Sequence, residues 1–122
     1  MIFKKIFVNT PKGLKFHGDI VVNAKSQHVF VRNVAKSKDL MRIFDAWSIN
    51  PSCISELRKF AVVGIFYNDT ETGMKYKLEF DRFEKMLSGE IRGDRNQKLA
   101  WEKEYSGGRT VYIKREAFEA YK

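Results

Sequence analysis

Residues 62–80 constrain the fold more tightly than any other segment, because they carry the pattern of a β-hairpin. Val62 to Asn68 and Met74 to Phe80 are two β-prone runs that flank a five-residue polar loop ending in Gly73. Glycine supplies the positive φ that such a turn needs. Apolar side chains in the second run alternate with Lys75, Lys77 and Glu79. This period of two predicts a strand with one buried face and one charged, solvent-facing side.

The first third of the chain predicts an antiparallel β-meander. Ile2 to Val8 has the pattern of a strand, and Leu14–His17 and Ile20–Asn23 are short β-prone pieces separated by the turn dipeptide Gly18–Asp19. His28 to Arg32 follows as a further strand. A basic amphipathic helix is the alternative for residues 2–8, but so short a segment cannot sustain a free helix.

The periodicity then changes to that of a helix. Apolar residues recur at i, i+3, i+4 and i+7, namely Leu40, Ile43, Phe44 and Trp47. This spacing predicts an amphipathic helix from Lys38 to Trp47. Asn50 can cap a second helix, and Pro51 can occupy its first turn. We expect this second helix to end near Phe60.

The last third predicts a short helix and a closing hairpin. Asp81 and Glu84 form a capping-box pattern at the start of the helix, and Gly89 is placed to end it. Residues 90–97 are polar and predict an exposed loop, and Leu99 to Ile113 predicts the hairpin. A helix from Asp94 to Tyr105 is the competing interpretation.

Size and composition favour one α+β domain over residues 1–122. Its parts are a β-meander (1–34), two helices (37–61), a hairpin (62–80), and a short helix with a closing hairpin (81–122). No stretch of about 18 apolar residues is present, and residues 1–8 lack the apolar core of a signal peptide, so we expect a soluble protein. The single cysteine, Cys53, excludes an internal disulfide and fits a reducing, cytoplasmic location.

The positive charge is concentrated in the first half of the chain. The net charge is +8, and the first 60 residues hold eleven Lys and Arg against four acids. The remaining 62 residues are nearly neutral, with twelve Lys and Arg against eleven Asp and Glu. One-sided charge of this kind is typical of proteins that meet an anion, most often nucleic acid.

The segment from Leu40 to Phe60 resembles a helix-turn-helix. The run from Trp47 to Leu57 is similar to the family's turn and recognition helix, with Ile49 as the buried turn residue and Ile54 packing the second helix on the first. The hairpin from Val62 to Phe80 follows at once, as the wing does in winged-helix proteins. The implied fold is therefore a β-meander joined to a helix-turn-helix-like unit and a wing-like hairpin.

The resemblance implies a DNA-binding surface on the second helix. Exposed polar side chains there could contact the edges of DNA bases, and neighbouring Lys and Arg side chains could bind phosphates. The candidate residues on the helix are Asn50, Ser52, Ser55, Arg58 and Lys59. Those elsewhere are Lys36, Lys38, Arg42, Lys75 and Lys77. We therefore expect a non-enzymatic protein that binds nucleic acid, DNA in preference to RNA and duplex DNA through a basic face; a homodimer would suit such a reader.

Phe16, Phe30 and Tyr67 offer a different contact with nucleic acid. Aromatic rings on strands can stack on the bases of single strands, although such rings more often belong to a core. The core role is therefore favoured for these three residues.

Two other classes of function remain open. A small inhibitor or adaptor could use the basic face to bind an acidic protein surface. A metal-dependent nuclease is the third possibility, but it would need clustered carboxylates, which the sequence does not supply in a recognisable pattern. His17, Asp19 and His28 could converge on a metal, but surface or turn positions fit them better. We expect no metal and no cofactor.

Overall fold

The structure is a computed structural model in which residues 1–35 and 44–121 are described. Nine strands alternate with two α-helices in these ranges. The strands are β1 (Ile2–Thr10), β2 (Gly13–Val22), β3 (His28–Val34), β4 (Ala46–Ile49), β5 (Gly64–Asp69), β6 (Lys75–Glu79), β7 (Ala100–Tyr105), β8 (Gly108–Lys114) and β9 (Glu119–Tyr121). The helices are α1 (Pro51–Lys59) and α2 (Phe80–Ser88). Two 3₁₀ turns, Asp94–Asn96 and Arg115–Ala117, complete the described elements.

Six strands form the larger sheet in the order β1-β2-β3-β5-β6-β9. Every pair in this sheet is antiparallel except β3 and β5, which run parallel at its centre. A parallel pair needs a crossover connection, and the chain between β3 and β5 contains β4 and α1. The central pairing therefore joins the N-terminal meander to the hairpin that follows α1.

Three strands form the smaller sheet in the order β4-β8-β7, and both of its pairs are antiparallel. The inner side of this sheet contributes Trp47, Ile49, Val111 and Ile113 to the core. The larger sheet contributes Phe30, Ile65 and Leu78 to the same core. One continuous core thus joins both sheets, and the described chain is a single α+β domain.

The helices bury one face each in that core. Helix α1 is capped by Asn50, whose Oδ1 accepts the Ser52 backbone N–H at 2.9 Å, and it buries Ile54 and Leu57. Helix α2 buries Phe83 and Met86, and it ends at Gly89, which has a φ of 85°. Neither helix in the described ranges is long and apolar enough to cross a lipid bilayer.

The helix-turn-helix prediction is wrong. Trp47 and Ile49, which were expected in the first helix and the turn, lie in strand β4. Of the two helices of the proposed motif, only the second is present in the described ranges. Of the described residues, 52% lie in strands and 21% in helices, whereas a winged-helix domain requires a bundle of three helices. Residues 38–43 of the predicted first helix lie outside the described ranges. The predicted wing is not a separate arm, because β5 and β6 are integral strands of the larger sheet.

Two turn and cap predictions are also wrong. Gly18 and Asp19 lie within the continuous strand β2, and the chain reverses at residues 11–12 instead. Asp81 does not cap α2, because its carboxylate contacts Lys85 and the helix begins at Phe80. Gly18 and Asp19 form a common turn dipeptide, but here β2 pairs with both β1 and β3, and these pairings keep the segment extended.

The hairpin predictions are confirmed. Strands β5 and β6 pair as expected, and the loop between them is closed by Asp69, whose Oδ1 accepts the Glu71 N–H at 2.9 Å. Gly73 in that loop has a φ of 76°. Strands β7 and β8 form the closing hairpin, so the competing helix from Asp94 to Tyr105 is wrong.

Candidate functional site

The larger sheet has an outer face, which we define as the side opposite the core. The strand register places one row across all six strands: Lys5, Asp19, Val31, Phe66, Lys77 and Glu119. A second row beside it contains Val21, Val29, Gly64 and Glu79. Apart from Val29 and Gly64, these side chains are half-buried or exposed. The outer face therefore has an apolar centre with charged residues on both flanks.

Exposed aromatic rings continue the outer face along the β1–β2 hairpin. Phe7 and Phe16 are register partners, and their rings meet edge to face with centroids 5.6 Å apart. They are 52% and 45% exposed, which is unusual for phenylalanine. The Lys5 ammonium lies 5.3 Å from the centroid of the Phe16 ring. Aromatic and cationic groups thus share one surface.

A cleft of about 580 Å³ lies at one end of the outer face. Its lining includes Val29, Gly64 and Phe66 from the two central strands. A Cβ at Gly64 would lie 3.2 Å from Cε1 of Phe66, so the Phe66 ring leans over bare backbone. The described rings provide no stacking partner for Phe66, and the residue is half-exposed. The ring is therefore a surface of the cleft and not a member of the core.

The charged residues around the cleft are unevenly paired. Lys77 contacts Glu119 at 3.7 Å, which leaves both of these charges partly compensated. Lys25 and Arg82 also line the cleft, and no carboxylate of the described residues lies within 4 Å of either. Both are exposed. The cleft thus presents two cations without an ion pair among the described residues, close to an aromatic ring and to the carboxylate of Glu79.

Lys25 is presented by a rigid turn between β2 and β3. The Asn23 Oδ1 accepts the backbone N–H of Lys25 at 3.0 Å and that of Gln27 at 2.9 Å. The Asn23 amide also donates to Gln27 Oε1 at 3.2 Å. These hydrogen bonds order the backbone of residues 23–27, so the Lys25 side chain extends from a backbone of fixed conformation.

Most of the polar side chains predicted to contact DNA from helix α1 make contacts within the protein. The Asn50 side chain is used as the helix cap, and the Ser55 hydroxyl donates to the Pro51 carbonyl at 3.3 Å. Arg58 makes a two-point contact with Glu84 at 2.9 and 3.3 Å, which joins the two helices. Ser52 is exposed, but its hydroxyl donates to Asn50 at 2.7 Å.

The remaining predicted residues divide into three groups. Lys59 is exposed and lies 5.4 Å from the Phe60 ring centroid. Lys75 and Lys77 are exposed on β6 and belong to the outer face, as the alternation predicted. The other three, Lys36, Lys38 and Arg42, lie outside the described ranges.

The three aromatic residues considered for base stacking differ in their exposure to solvent. Phe16 is exposed on the outer face, but Phe30 and Tyr67 are fully buried in the core. Sequence reasoning missed Phe66, which takes the place expected of Tyr67. The alternation in β5 could have found it, because Phe66 and Tyr67 must point to opposite faces of the sheet.

His17, Asp19 and His28 do not converge on a metal site. His17 is buried on the core side and stacks on Phe30, whereas Asp19 lies on the outer face. The His28 Nδ1 lies 2.8 Å from the Phe60 carbonyl oxygen. Among the described residues, no group of three or more His, Cys, Asp and Glu is arranged to hold a metal ion.

Two reactive side chains are made inert by burial. Burial lowers the pKa of His17 to about 3, and the nearby charges of Arg32 and Lys15 act in the same direction. Burial raises the pKa of Cys53 to about 12, so its thiol stays protonated at neutral pH. Both side chains are buried.

The smaller sheet carries a second cluster of aromatic residues on its solvent side. Trp101 meets Phe44 at 5.5 Å and Tyr112 at 5.6 Å between ring centroids. The Tyr105 and Tyr112 hydroxyls are hydrogen-bonded to each other. These rings pack mainly on one another, in contrast to Phe66, so they are less available for an external planar group.

No family model, curated protein or solved structure matches this chain.

Proposed function

We propose that this protein is a non-enzymatic nucleic-acid-binding module that holds a single strand on the outer face of its larger sheet. The observation that carries the proposal is the sharing of one face by exposed rings and cations. The rings are the exposed Phe7 and Phe16 and the half-exposed Phe66, and the cations are Lys5, Lys25, Lys75, Lys77 and Arg82. Two of these cations contact acids of the same face, Lys5 with Asp19 at 3.9 Å and Lys77 with Glu119 at 3.7 Å. Proteins that bind single strands combine aromatic stacking surfaces with a positive track for the backbone.

A single strand fits this surface better than a duplex. Stacking on Phe7 or Phe16 requires an unpaired base whose flat side is free, and each such contact is worth about 1–3 kcal/mol. The preference for duplex DNA depended on a recognition helix. In α1, however, Asn50 caps the helix and Arg58 contacts Glu84 of α2. The sheet surface therefore replaces the helix as the proposed contact.

Fluorescence anisotropy with labelled 20-nucleotide strands of DNA and RNA, and with a random duplex, tests the proposal. We expect saturable binding to single strands at low salt and weaker binding to the duplex. If the five cations each contact a phosphate, log K should fall with log salt at a slope of roughly −3.5. Equal or tighter binding of the duplex would contradict the choice of a single strand.

Matched variants locate the surface. Lys5→Gln with Lys75→Gln should reduce the salt slope by roughly 1.4, because two phosphate contacts are lost. Arg58→Gln with Lys59→Gln removes the same charge from α1 and should leave the slope unchanged. If the two double variants weaken binding equally, only net charge matters and the outer face has no special role.

A protein-interaction module is the second candidate. It is favoured by the exposed apolar residues at the free end of the β1–β2 hairpin, where Leu14 is 73% exposed beside Phe7 and Phe16. Apolar groups clustered in this way often mark a protein contact. If no oligonucleotide binds at micromolar protein and low salt, this second function is favoured over the first.

A further inference from the structure

We propose that the cleft at the end of the outer face is a subsite for one nucleotide, with its base on Phe66 and its phosphate between Lys25 and Arg82. The inference rests on the proposed function, because the nucleotide is taken to be a unit of the bound strand. It goes further by assigning a defined position to the base and to the phosphate.

The size and shape of the cleft suit a nucleotide. Its volume of about 580 Å³ lies within the range of roughly 300–1,000 Å³ that small-molecule sites occupy. Val29 and Gly64 form an apolar floor, and the Phe66 ring stands over that floor with no ring of the described residues against it. A planar base can cover the free side of this ring and remove apolar surface from water.

The charges of the cleft suit a phosphate. Arg82 offers the forked donor set that matches phosphate oxygens, and Lys25 adds a second positive charge. Neither must give up an internal ion pair to bind, because no described carboxylate contacts them. By contrast, Lys77 is already engaged with Glu119 at 3.7 Å, so it contributes less.

Glu79 restricts what the cleft can accept. Its carboxylate is the remaining acid of the lining, and its register partner is Gly64, over which the Phe66 ring leans. A second phosphate near this position would be repelled, whereas an N–H group of a base could donate to the carboxylate. The arrangement favours a base beside Glu79 and a single phosphate at the Lys25 and Arg82 end.

Titration with adenosine monophosphate, adenosine and inorganic phosphate, followed by NMR chemical shifts, tests the subsite. We expect the monophosphate to bind roughly tenfold more tightly than adenosine and than phosphate alone, because only it makes both contacts. Lys25→Gln with Arg82→Gln should abolish its advantage over adenosine, and Phe66→Leu should abolish its advantage over phosphate. Tyr105→Leu, an exposed aromatic of the smaller sheet, is the matched control and should change neither.

Competition with a 20-nucleotide single strand connects the subsite to the proposed function. We expect the strand to displace the monophosphate from wild-type protein. If the two bind together, or if the strand binds while the monophosphate does not, the subsite is overturned and the proposed function stands. If neither the strand nor the monophosphate binds, both proposals fail. Circular dichroism of each variant should match that of the wild type. Phe66→Tyr, which keeps the ring, should retain the advantage of the monophosphate over phosphate that Phe66→Leu abolishes.

Discussion

Gly18 shows how closely neighbouring strands approach in the larger sheet. A Cβ at this position would lie 2.6 Å from Cζ of Phe30 and 2.8 Å from the Val31 carbonyl oxygen. Phe30 is fully buried, and a close-packed core leaves little room for its ring to move aside. The residue is therefore required for packing, although the sequence suggests a turn there.

Replacing Gly18 should destabilise the fold. We expect Gly18→Ala to lower the free energy of unfolding by about 1–3 kcal/mol, because the added methyl overpacks the contact with Phe30. Gly107→Ala is the control, since a Cβ at Gly107 meets nothing within 4 Å. Urea denaturation measures both variants. A loss at Gly18 no larger than that at Gly107 would show that β2 can shift away from Phe30.

His17 should make stability depend on pH. Its pKa is about 3 in the folded protein and returns to about 6.5 on unfolding, so between these values only the unfolded chain takes up the proton. The free energy of unfolding should therefore fall as the pH is lowered through this window, by about 2 kcal/mol between pH 7 and pH 5.

A variant without the imidazole separates this effect from other titrations. Urea unfolding at pH 7 and pH 5 should give a smaller loss for His17→Gln than for the wild type, whatever the absolute stability of the variant. Equal losses in the two proteins would mean that His17 can take up a proton without unfolding. The comparison depends only on differences between pH values, so a moderate destabilisation at pH 7 does not spoil it.

At the scale of elements, β1 is an exposed edge of the larger sheet. Edge strands can pair with other chains, and lysines are a common protection against such pairing. The apolar residues Ile6 and Val8 belong to the core side, while Lys4 and Lys5 interrupt the apolar character of the strand. Lys4 is also tied to Glu56 of α1 at 3.3 Å.

Removing one of these charges should promote self-association. We expect Lys5→Val to associate as concentration rises, because residues 2–8 then carry one charge in place of two. Lys12→Val, in the turn after β1, removes the same charge away from the strand edge. Light scattering after size-exclusion chromatography compares the two. Association of Lys12→Val to the same degree would point to net charge and not to the strand edge.

The elements that were predicted correctly are those with local signals. Strands β5 and β6 follow from the alternation around Lys75 and Lys77, and α1 follows from the cap at Asn50 and the proline after it. Strand β4 could not be predicted in this way. Trp47 repeats at a helical spacing, yet it pairs with Ile113 of β8, and no short window of sequence contains both residues.

The candidate site follows the same division. Alternation places Lys75 and Lys77 on an exposed face, and the same alternation would place Phe66 there once the register is known. The cleft needs more than this, because Lys25 and Arg82 come from distant parts of the chain and lie in a turn and a helix. Their proximity is a property of the sheet order, which the sequence pattern does not contain.

At the scale of the whole molecule, distant segments pair throughout the structure. Val29 pairs with Gly64 at the centre of the larger sheet, and Ala46 pairs with Lys114 in the smaller one. Forming such contacts requires closing long loops before any pairing energy is gained. The topology therefore favours slow folding over rapid local assembly.

Stopped-flow dilution from urea tests this expectation. We expect refolding over milliseconds to seconds, the range of domains dominated by non-local strand pairing. Two-state helical proteins of similar size fold faster because their contacts are local. Recovery of the full native signal within the mixing time would contradict the expectation and would imply that local hairpins already determine the rate.

The positions of the two tryptophans provide an optical readout of these events. Trp47 is fully buried beside Tyr67, with ring centroids 4.9 Å apart, whereas Trp101 is half-exposed on the smaller sheet. Emission from Trp47 should shift to longer wavelength only when the core opens, while emission from Trp101 should already resemble that of a solvated indole. A Trp101→Phe variant would leave a single tryptophan at the centre of the molecule. Neither indole lies on the outer face, so oligonucleotide titrations and unfolding can be followed by separate spectroscopic signals in the same sample.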